Sequence, residues 1–306
     1  MFIIKHKFVF LAISAVILLG SILTIVTYGL RPGIDFKGGT LLEVNYTTVR
    51  PDITTVNSVL EKNQLGDAVA QGVGTSALSV KSRALSETER TTLVRDLSID
   101  GTHPLTETGF TSIGPSVGRE LTQKAIVAII VVAIAIVLYI AYAFRGVSEP
   151  VSSWKYGLIA IVTLVHDVAI PSGVFALLGH FRGDEVNTLF VVALLTVLGI
   201  SVSDTIVVFD RIRENLKHHG AATFAGTVGK SLGQTFTRSI NTSLTVIIVL
   251  LSLFFFGPDA TKDFALVLIV GMFFGTYSSI FVASPLLVIV EAAQAKKHAK
   301  RKAAKK

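Results

Sequence analysis

The sequence contains no cysteine. That excludes a disulfide framework, a thiolate metal site and a thiol nucleophile. It is also short of charge: 16% of its 306 residues are Asp, Glu, Lys or Arg, where a soluble domain carries about 25%. In their place stand 51% hydrophobic residues and a mean hydropathy of +0.65, the balance of a membrane protein. No motif pairs a nucleophile with a base, and no His, Asp and Glu cluster has metal-ligand spacing. Ordinary enzyme chemistry, a metal and a bound cofactor are therefore not expected.

A membrane-spanning helix needs about 20 mostly apolar residues. Six such runs are present, at 8–28, 122–144, 156–178, 186–209, 238–257 and 264–290. The fifth is the weakest because its first half is polar. The first follows "MFIIKHKF" and is longer than the 7–15 apolar residues of a signal peptide, with no A-x-A cleavage site, so it reads as an uncleaved anchor. Six spans put both ends on one side. The segments on that side, 1–7, 145–155, 210–237 and 291–306, carry 15 Lys and Arg against four acids, while the opposite side carries 12 basic and 15 acidic residues. The positive-inside rule then places both ends in the cytoplasm. The net charge of +7 is mostly topology, with attraction to anionic lipid added. The tail "KKHAKRKAAKK" fits that reading better than nucleic-acid binding.

Residues 29–121 have the composition of a soluble domain and face away from the cytoplasm. "TLLEVNYT" alternates like a strand, and "PDITTVNSVLEKN" places Ile53, Val56 and Leu60 on one helical face. "AVAQGV" and "SALSVKS" read as strands, and "SETERTTLVRDL" opens with the Ser86 and Glu89 spacing of a capping box. "TGFTSIG" closes the series. The order β-α-β-β-α-β is that of a ferredoxin-like domain, set between the first and second spans of an α-helical polytopic membrane protein. Its entry segment, "GIDFKGGT", nearly matches the phosphate-binding pattern G-x-x-x-x-G-K-[ST], but the lysine is misplaced at Lys37, and a strand follows where a helix is needed. Gly33, Gly38 and Gly39 instead suggest a structural hinge or seat between membrane and domain.

Ionisable residues inside spans carry the sharper signal, because an Asp at mid-helix costs about 2.5–3.5 kcal/mol to insert. The third span holds His166 and Asp167, with Pro171 and Gly173 expected to break the helix locally. The fourth holds Asp204, about 9 Å inside Asp210, with Thr196, Gly199 and Ser203 along one stripe beside it. In the fifth, Arg238, Asn241, Thr242 and Thr245 fall on one face, which is expected to meet the fourth-span stripe. Asp204 and Arg238 have two readings: a fixed ion pair that pins two helices, or a proton relay whose carboxylate the arginine tunes. Asp167 and His166 are secondary candidates for that relay, and His166 also reads as a hydrogen-bonded packing residue. A carboxylate among hydroxyls would also suit sodium. Asp210, Arg211, Arg213 and Glu214 read as surface pairs at the membrane edge. Gly271 and Gly275 form G-x-x-x-G in the sixth span, a row for close helix packing within the chain or with a partner.

Five segments, "GIDFKGGT", "IGPSVGREL", "HDV", "SDTIVVFDRIREN" and "RSINTSLT", in that order over nearly the whole chain, resemble the SecF family. This is the smaller membrane half of the bacterial SecD–SecF protein-export factor, within the RND superfamily. The resemblance implies a bacterial cytoplasmic (inner) membrane protein. It implies pairing with SecD into a twelve-span unit, YajC as accessory, and association with the SecY–SecE–SecG channel. Action would follow SecA-driven insertion and use the proton motive force to draw the preprotein out late in translocation. By motif, the family's proton-conducting Asp and Arg fall on Asp204 and Arg238, and Ser203 stands where the family often has Asn. Two rival readings are an RND-type exporter half, which would need a larger outside domain, and a passive scaffold of the translocon.

Overall fold

The computed structural model describes residues 2–65, 67–144, 151–217 and 223–303. The parts of the expected cytoplasmic segments at 145–150 and 218–222, and the last basic residues at 304–306, lie outside the described residues. In chain order α1 (Phe2–Lys5) and α2 (Lys7–Tyr28) precede α3 (Ile34–Lys37), β1 (Gly39–Tyr46), α4 (Ile53–Lys62), β2 (Val69–Val73), β3 (Ala77–Ser82), α5 (Glu87–Leu97) and β4 (Leu105–Ile113). Then follow α6 (Pro115–Ala143), α7 (Ser153–Arg182), α8 (Thr188–Lys217), α9 (Phe224–Phe256), α10 (Asp259–Ser278), a wide π turn (Ser279–Ala283) and α11 (Ser284–Ala303). The chain divides into two compact units, Met1–Arg31 with Val127–Lys306, and Pro32–Ile126.

In the smaller unit the strands lie in the order β2-β3-β1-β4, and every neighbouring pair is antiparallel. Strands β1 and β2 thus run the same way with β3 between them, and β3 and β4 with β1 between them. Leu42, Val44 and Tyr46 alternate inward from β1 and meet Val56 and Leu60 of α4 and Leu93 and Leu97 of α5 in one core, as a period-2 strand requires. The Tyr46 hydroxyl donates to the Leu97 carbonyl at 3.1 Å, and burial pushes its pKa up to about 12. Strand β4 starts three residues before the expected "TGFTSIG". Its pairing with β1 slips between Glu43 and Val44, leaving Thr108 without a partner, and such a bulge breaks the alternation that reveals a strand.

The two junction segments pack on one another. Gly38 and Gly39 have φ of +81° and +136°, conformations that favour glycine. A Cβ on Gly38 would lie 2.9 Å from Pro115 Cα, one on Gly39 2.7 Å from the Ser82 carbonyl oxygen, and one on Gly118 2.8 Å from that of Phe36. Gly33 has an ordinary φ of −78° and simply precedes α3. Of the two readings of Gly33, Gly38 and Gly39, hinge or seat, the close packing at Gly38, Gly39 and Gly118 favours a seat of "GIDFKGGT" against "IGPSVGREL".

The larger unit is an integral membrane unit. Among the described residues six helices are long and apolar enough to cross a membrane: Lys7–Tyr28, Pro115–Ala143, Trp154–Arg182, Thr188–Lys217, Phe224–Phe256 and Ala260–Lys297. Most run past the expected limits. The expected loop at 210–237 is largely helix, with α8 continuing to Lys217 and α9 starting at Phe224. Polar residues there mark where apolar surroundings end, not where helical hydrogen bonding does. The expected break at Pro171 is likewise absent: α7 runs through it. Pro171 has no N–H for the Asp167 carbonyl four residues earlier, and neighbouring helices stabilise such a site within a membrane. Next to it α2 packs closely on Gly173, where a Cβ would sit 2.6 Å from Ser21 Cα, and Thr24 Oγ1 donates to the Gly173 carbonyl at 3.1 Å. The interruption falls instead in the sixth span, at the π turn.

The start of α5 yields a prediction. Ser86 and Glu89 form the expected capping box, and Arg83 adds an ion pair to Glu89 at 2.6 Å. The Arg83 hydrogen bond, followed by those from the Ser86 backbone and hydroxyl, lowers the Glu89 pKa to about 2. A carboxylate with a lowered folded pKa stabilises above the ordinary value of about 4.3, and that contribution is lost as pH falls through the folded value. Hydrogen-exchange protection factors of the α5 amides in the full chain, corrected for the intrinsic rate at each pH, should therefore fall between about pH 4 and 2. Ser86→Ala should weaken the helix start by about 1 kcal/mol and raise the Glu89 titration midpoint seen by carboxyl NMR. An unmoved midpoint would contradict this account of the cap.

Candidate functional site

Two carboxylates, Asp167 and Asp204, stand inside the apolar runs of the membrane unit, on adjacent helices. Asp167 of α7 is fully buried. His166 Nδ1 lies 2.8 Å from its Oδ1, while Ser201 Oγ of α8 and Ser278 Oγ of α10 both donate to Oδ2, the latter at 2.8 Å. One side chain thus joins three helices. The His166 Nε2 is buried and has no hydrogen-bond partner among the described residues; the ring centroids of Phe274 and Tyr277 stand 6.3 and 6.4 Å from that of the imidazole.

Asp204 of α8 accepts a hydrogen bond from Ser239 Oγ of α9 at 2.6 Å. Its other oxygen, Oδ2, is buried with no partner among the described residues. The residue lines a cavity of about 250 Å³ together with Ser201, Ser203, Arg238, Thr242, Ser243 and Thr276. Arg238 and Val207 line a second cavity as well, of about 300 Å³, with Asp210, Arg211 and Glu214. Arg238 therefore stands between the Asp204 cavity and a polar vestibule at the end of α8. The fixed ion pair, one of the two readings of Asp204 and Arg238, is not formed among the described residues. The pairs at the end of α8 are Arg211 with Glu214 at 2.6 Å and Arg213 with Asp210.

Helix α9 has two polar rows: Arg238 and Thr242 of the expected one line a cavity with Gly199 and Ser203 of the α8 stripe, while the other is the one that is buried. Arg238, Asn241, Thr242 and Thr245 are exposed, as are Thr196, Gly199 and Ser203 of α8. The buried row is Thr227, Ser231, Thr235, Ser239 and Ser243, spaced by four and so on one face. Ser231 accepts from Asn215 of α8 at 2.8 Å, and Ser243 bonds Thr276 of α10. That repeat was visible in the sequence, but the charge on Arg238 drew attention to the neighbouring row. Ser201, Ser278 and Ser279 lacked any such signal, because only the fold brings Ser278 to Asp167 and Ser279 to Thr205, 2.8 Å away.

The glycines of the sixth span face α8. A Cβ on Gly271 would collide with the Val197 side chain, and one on Gly275 would lie 3.0 Å from Ser201 Cβ. Both glycines line the Asp204 cavity and leave it unfilled.

Residues 98–293 match the family described as protein export membrane protein SecD/SecF, C-terminal, and residues 24–48 match the SecD/SecF GG motif. The chain belongs to the SecD/SecF protein-export family. The first match covers more than half of the chain and contains Asp167, Asp204 and Arg238; the second contains "GIDFKGGT". Among SecD/SecF relatives, the chain is 43% identical over 300 residues to protein translocase subunit SecF of Thermobaculum terrenum, covering 94% of this chain and 92% of that one. It is 37% identical over 294 residues to protein translocase subunit SecF of Anaerolinea thermophila, covering 95% and 94%. The crystal structure of SecDF, a translocon-associated membrane protein from Thermus thermophilus, superposes with a TM-score of 0.79 at 33% identity. That match covers 94% of this chain and 38% of the Thermus chain, so the SecDF chain is far longer than this one.

The contact of α8 with α10 gives a second prediction. Gly271→Leu should force the two helices apart and lower stability in detergent by about 1–3 kcal/mol, read from thermal unfolding. Gly199→Ala, whose added Cβ meets nothing within 4 Å, should leave the melt unchanged. Equal melts for both variants would show that the α8–α10 contact does not depend on the missing side chain.

Proposed function

We propose that this chain is the smaller half of a SecD–SecF pair in the bacterial inner membrane, with both termini cytoplasmic, and that it uses the proton motive force to assist late translocation of preproteins through the SecY–SecE–SecG channel. The observation that carries this reading is Asp204, a carboxylate within a span. One oxygen is tied to Ser239, the other is buried without a partner among the described residues, and the residue lines a cavity whose wall includes Arg238. A carboxylate so placed can take and release a proton, and the Arg238 guanidinium is a charged neighbour on the same cavity wall. Arg238 also borders the vestibule of Asp210 and Glu214, which supplies the route to the end of α8. Ser203, on the same cavity wall, supplies a hydroxyl where the family often has an amide. No cofactor is needed; the proton is the coupling ion.

The exposed polar row on α8 and α9 supports the partner. Arg238, Asn241 and Thr242 cannot face hydrocarbon cheaply, so a second membrane half with its own polar row should cover them, as SecD would. YajC and SecA belong to the same assembly by family. The β-α-β-β-α-β unit is read as a ferredoxin-like domain on the far side of the membrane, linked through the seat of "GIDFKGGT" and "IGPSVGREL". A proton crossing 100 mV releases about 2.3 kcal/mol, enough to bias a two-state motion about fiftyfold.

The decisive measurement uses vesicles holding this chain with its SecD partner and the channel. Asp204→Asn should abolish proton flux driven by an imposed gradient and slow release of a late translocation intermediate by at least about tenfold. Wild-type values for both would leave the chain a passive scaffold.

A further inference from the structure

Asp167 is the most deeply buried carboxylate among the described residues, and the relay of Asp204 and Arg238 does not engage it. Its surroundings nevertheless lead to the same cavity. Ser201 Oγ, which donates to Asp167 Oδ2, belongs to a residue in the cavity wall. Ser201 and Asp204 are three residues apart on α8, so they are neighbours on one helix surface. Gly271 and Gly275 add no side chain to the space between them, and the volume of about 250 Å³ has room for several waters among polar walls.

On its far side Asp167 meets a second titratable group. His166 Nδ1 lies 2.8 Å from Oδ1, and its Nε2 is buried without a partner among the described residues. One ring nitrogen is thus committed to the carboxylate and the other is left without a partner among the described residues. The elements packed on α7 bring few other charges near this pair. Helix α10 presents Tyr277. Helix α8 presents Asp204 on the next turn. Helix α2 carries Lys7 and Tyr28 only at its ends, and Tyr28 stacks on His180. The π turn brings only apolar residues and serine, and Lys297 of α11 sits at the start of α7 beside Lys155.

We propose that Asp167 is a second proton-holding carboxylate of this cavity, loaded through Ser201 and supported by His166. The inference rests on the proton-relay reading of Asp204. In the loading step a hydronium in the cavity gives its proton to Ser201 Oγ as Ser201 passes its own hydroxyl proton to Asp167 Oδ2. One O–H bond breaks and one forms at each transfer, the hydronium leaves as water, and Asp167 becomes a neutral acid. Loading removes the negative charge that the Ser201 and Ser278 hydroxyls share, and so weakens the tie among α7, α8 and α10 at the start of the π turn.

The test uses the full chain with its SecD partner in vesicles under an imposed pH gradient, with an internal pH dye, and infrared difference spectra of the same preparation. Asp167→Asn should lower proton flux about a hundredfold. Ser201→Ala should lower it about tenfold, and Ser201→Thr, which keeps the hydroxyl, should restore it. Asp204→Asn should retain a D₂O-sensitive protonated-carboxyl band that disappears when Asp167→Asn is added. If Asp167→Asn and Ser201→Ala conduct like the unsubstituted chain while Asp204→Asn does not, this inference fails and the relay reading stands. If Asp204→Asn itself conducts fully, the relay reading fails. Should Asp167→Asn not fold, the Ser201 pair and the band in Asp204→Asn decide: equal flux for Ser201→Ala, or no such band, overturns the proposal.

Discussion

The carboxylate of Asp167 is the tie on which the membrane unit depends. Lipid tails are as apolar as leucine, so helices in a membrane gain little by hiding apolar surface from one another. They associate through close backbone approach and through polar bonds that find no substitute in hydrocarbon. Asp167 draws a donor from α8, one from α10 and one from its own helix. Around it the close approaches repeat: Gly173 against Ser21, Gly271 against Val197, and Gly275 against Ser201. A charge that costs several kcal/mol when stranded is thereby turned into a constraint on where three helices meet.

Much of the frame was legible in the residues. Apolar run length located the spans, alternation located β1, and Ser86 with Glu89 announced the start of α5. The misses share a cause. Helix ends were set at the polarity boundary, but backbone hydrogen bonding ignores that boundary, and α8 and α9 continue past it. Pro171 suggested a break because a proline acts locally, whereas packing of α2 along the Gly173 face holds α7 continuous. The site was half visible. Asp204, Asp167 and Arg238 announce themselves as charges in apolar runs, but their partners are serines from distant segments, and a serine in a span carries little information alone. The ladder from Thr227 to Ser243 is the exception, since a spacing of four repeated across the helix is a pattern in its own right.

The two rows of α9 divide its work. The buried hydroxyl row fixes the helix to α8 and α10, and the exposed row, led by Arg238, is left for whatever lies beside the chain. Arg238 belongs to both a cavity wall and that outer face. Under the proposed pairing, the group that tunes the carboxylate is also the group nearest the partner, so docking and proton affinity would be linked through one guanidinium.

The π turn sets a phase. Ser279 and Ser284 are five residues apart, and on an ordinary helix of 3.6 residues per turn they would point about 140° apart. Here both are buried, and Ser284 Oγ reaches back to the Ser279 carbonyl at 3.1 Å. The widened turn absorbs one residue of rotation. Everything from Ser284 onward is indexed to it, from buried Leu287 and Val288 to exposed Lys296 and Lys297. The sixth span is thus two helices held at a chosen offset, and the serine beside the Asp167 carboxylate is the last residue before the offset begins.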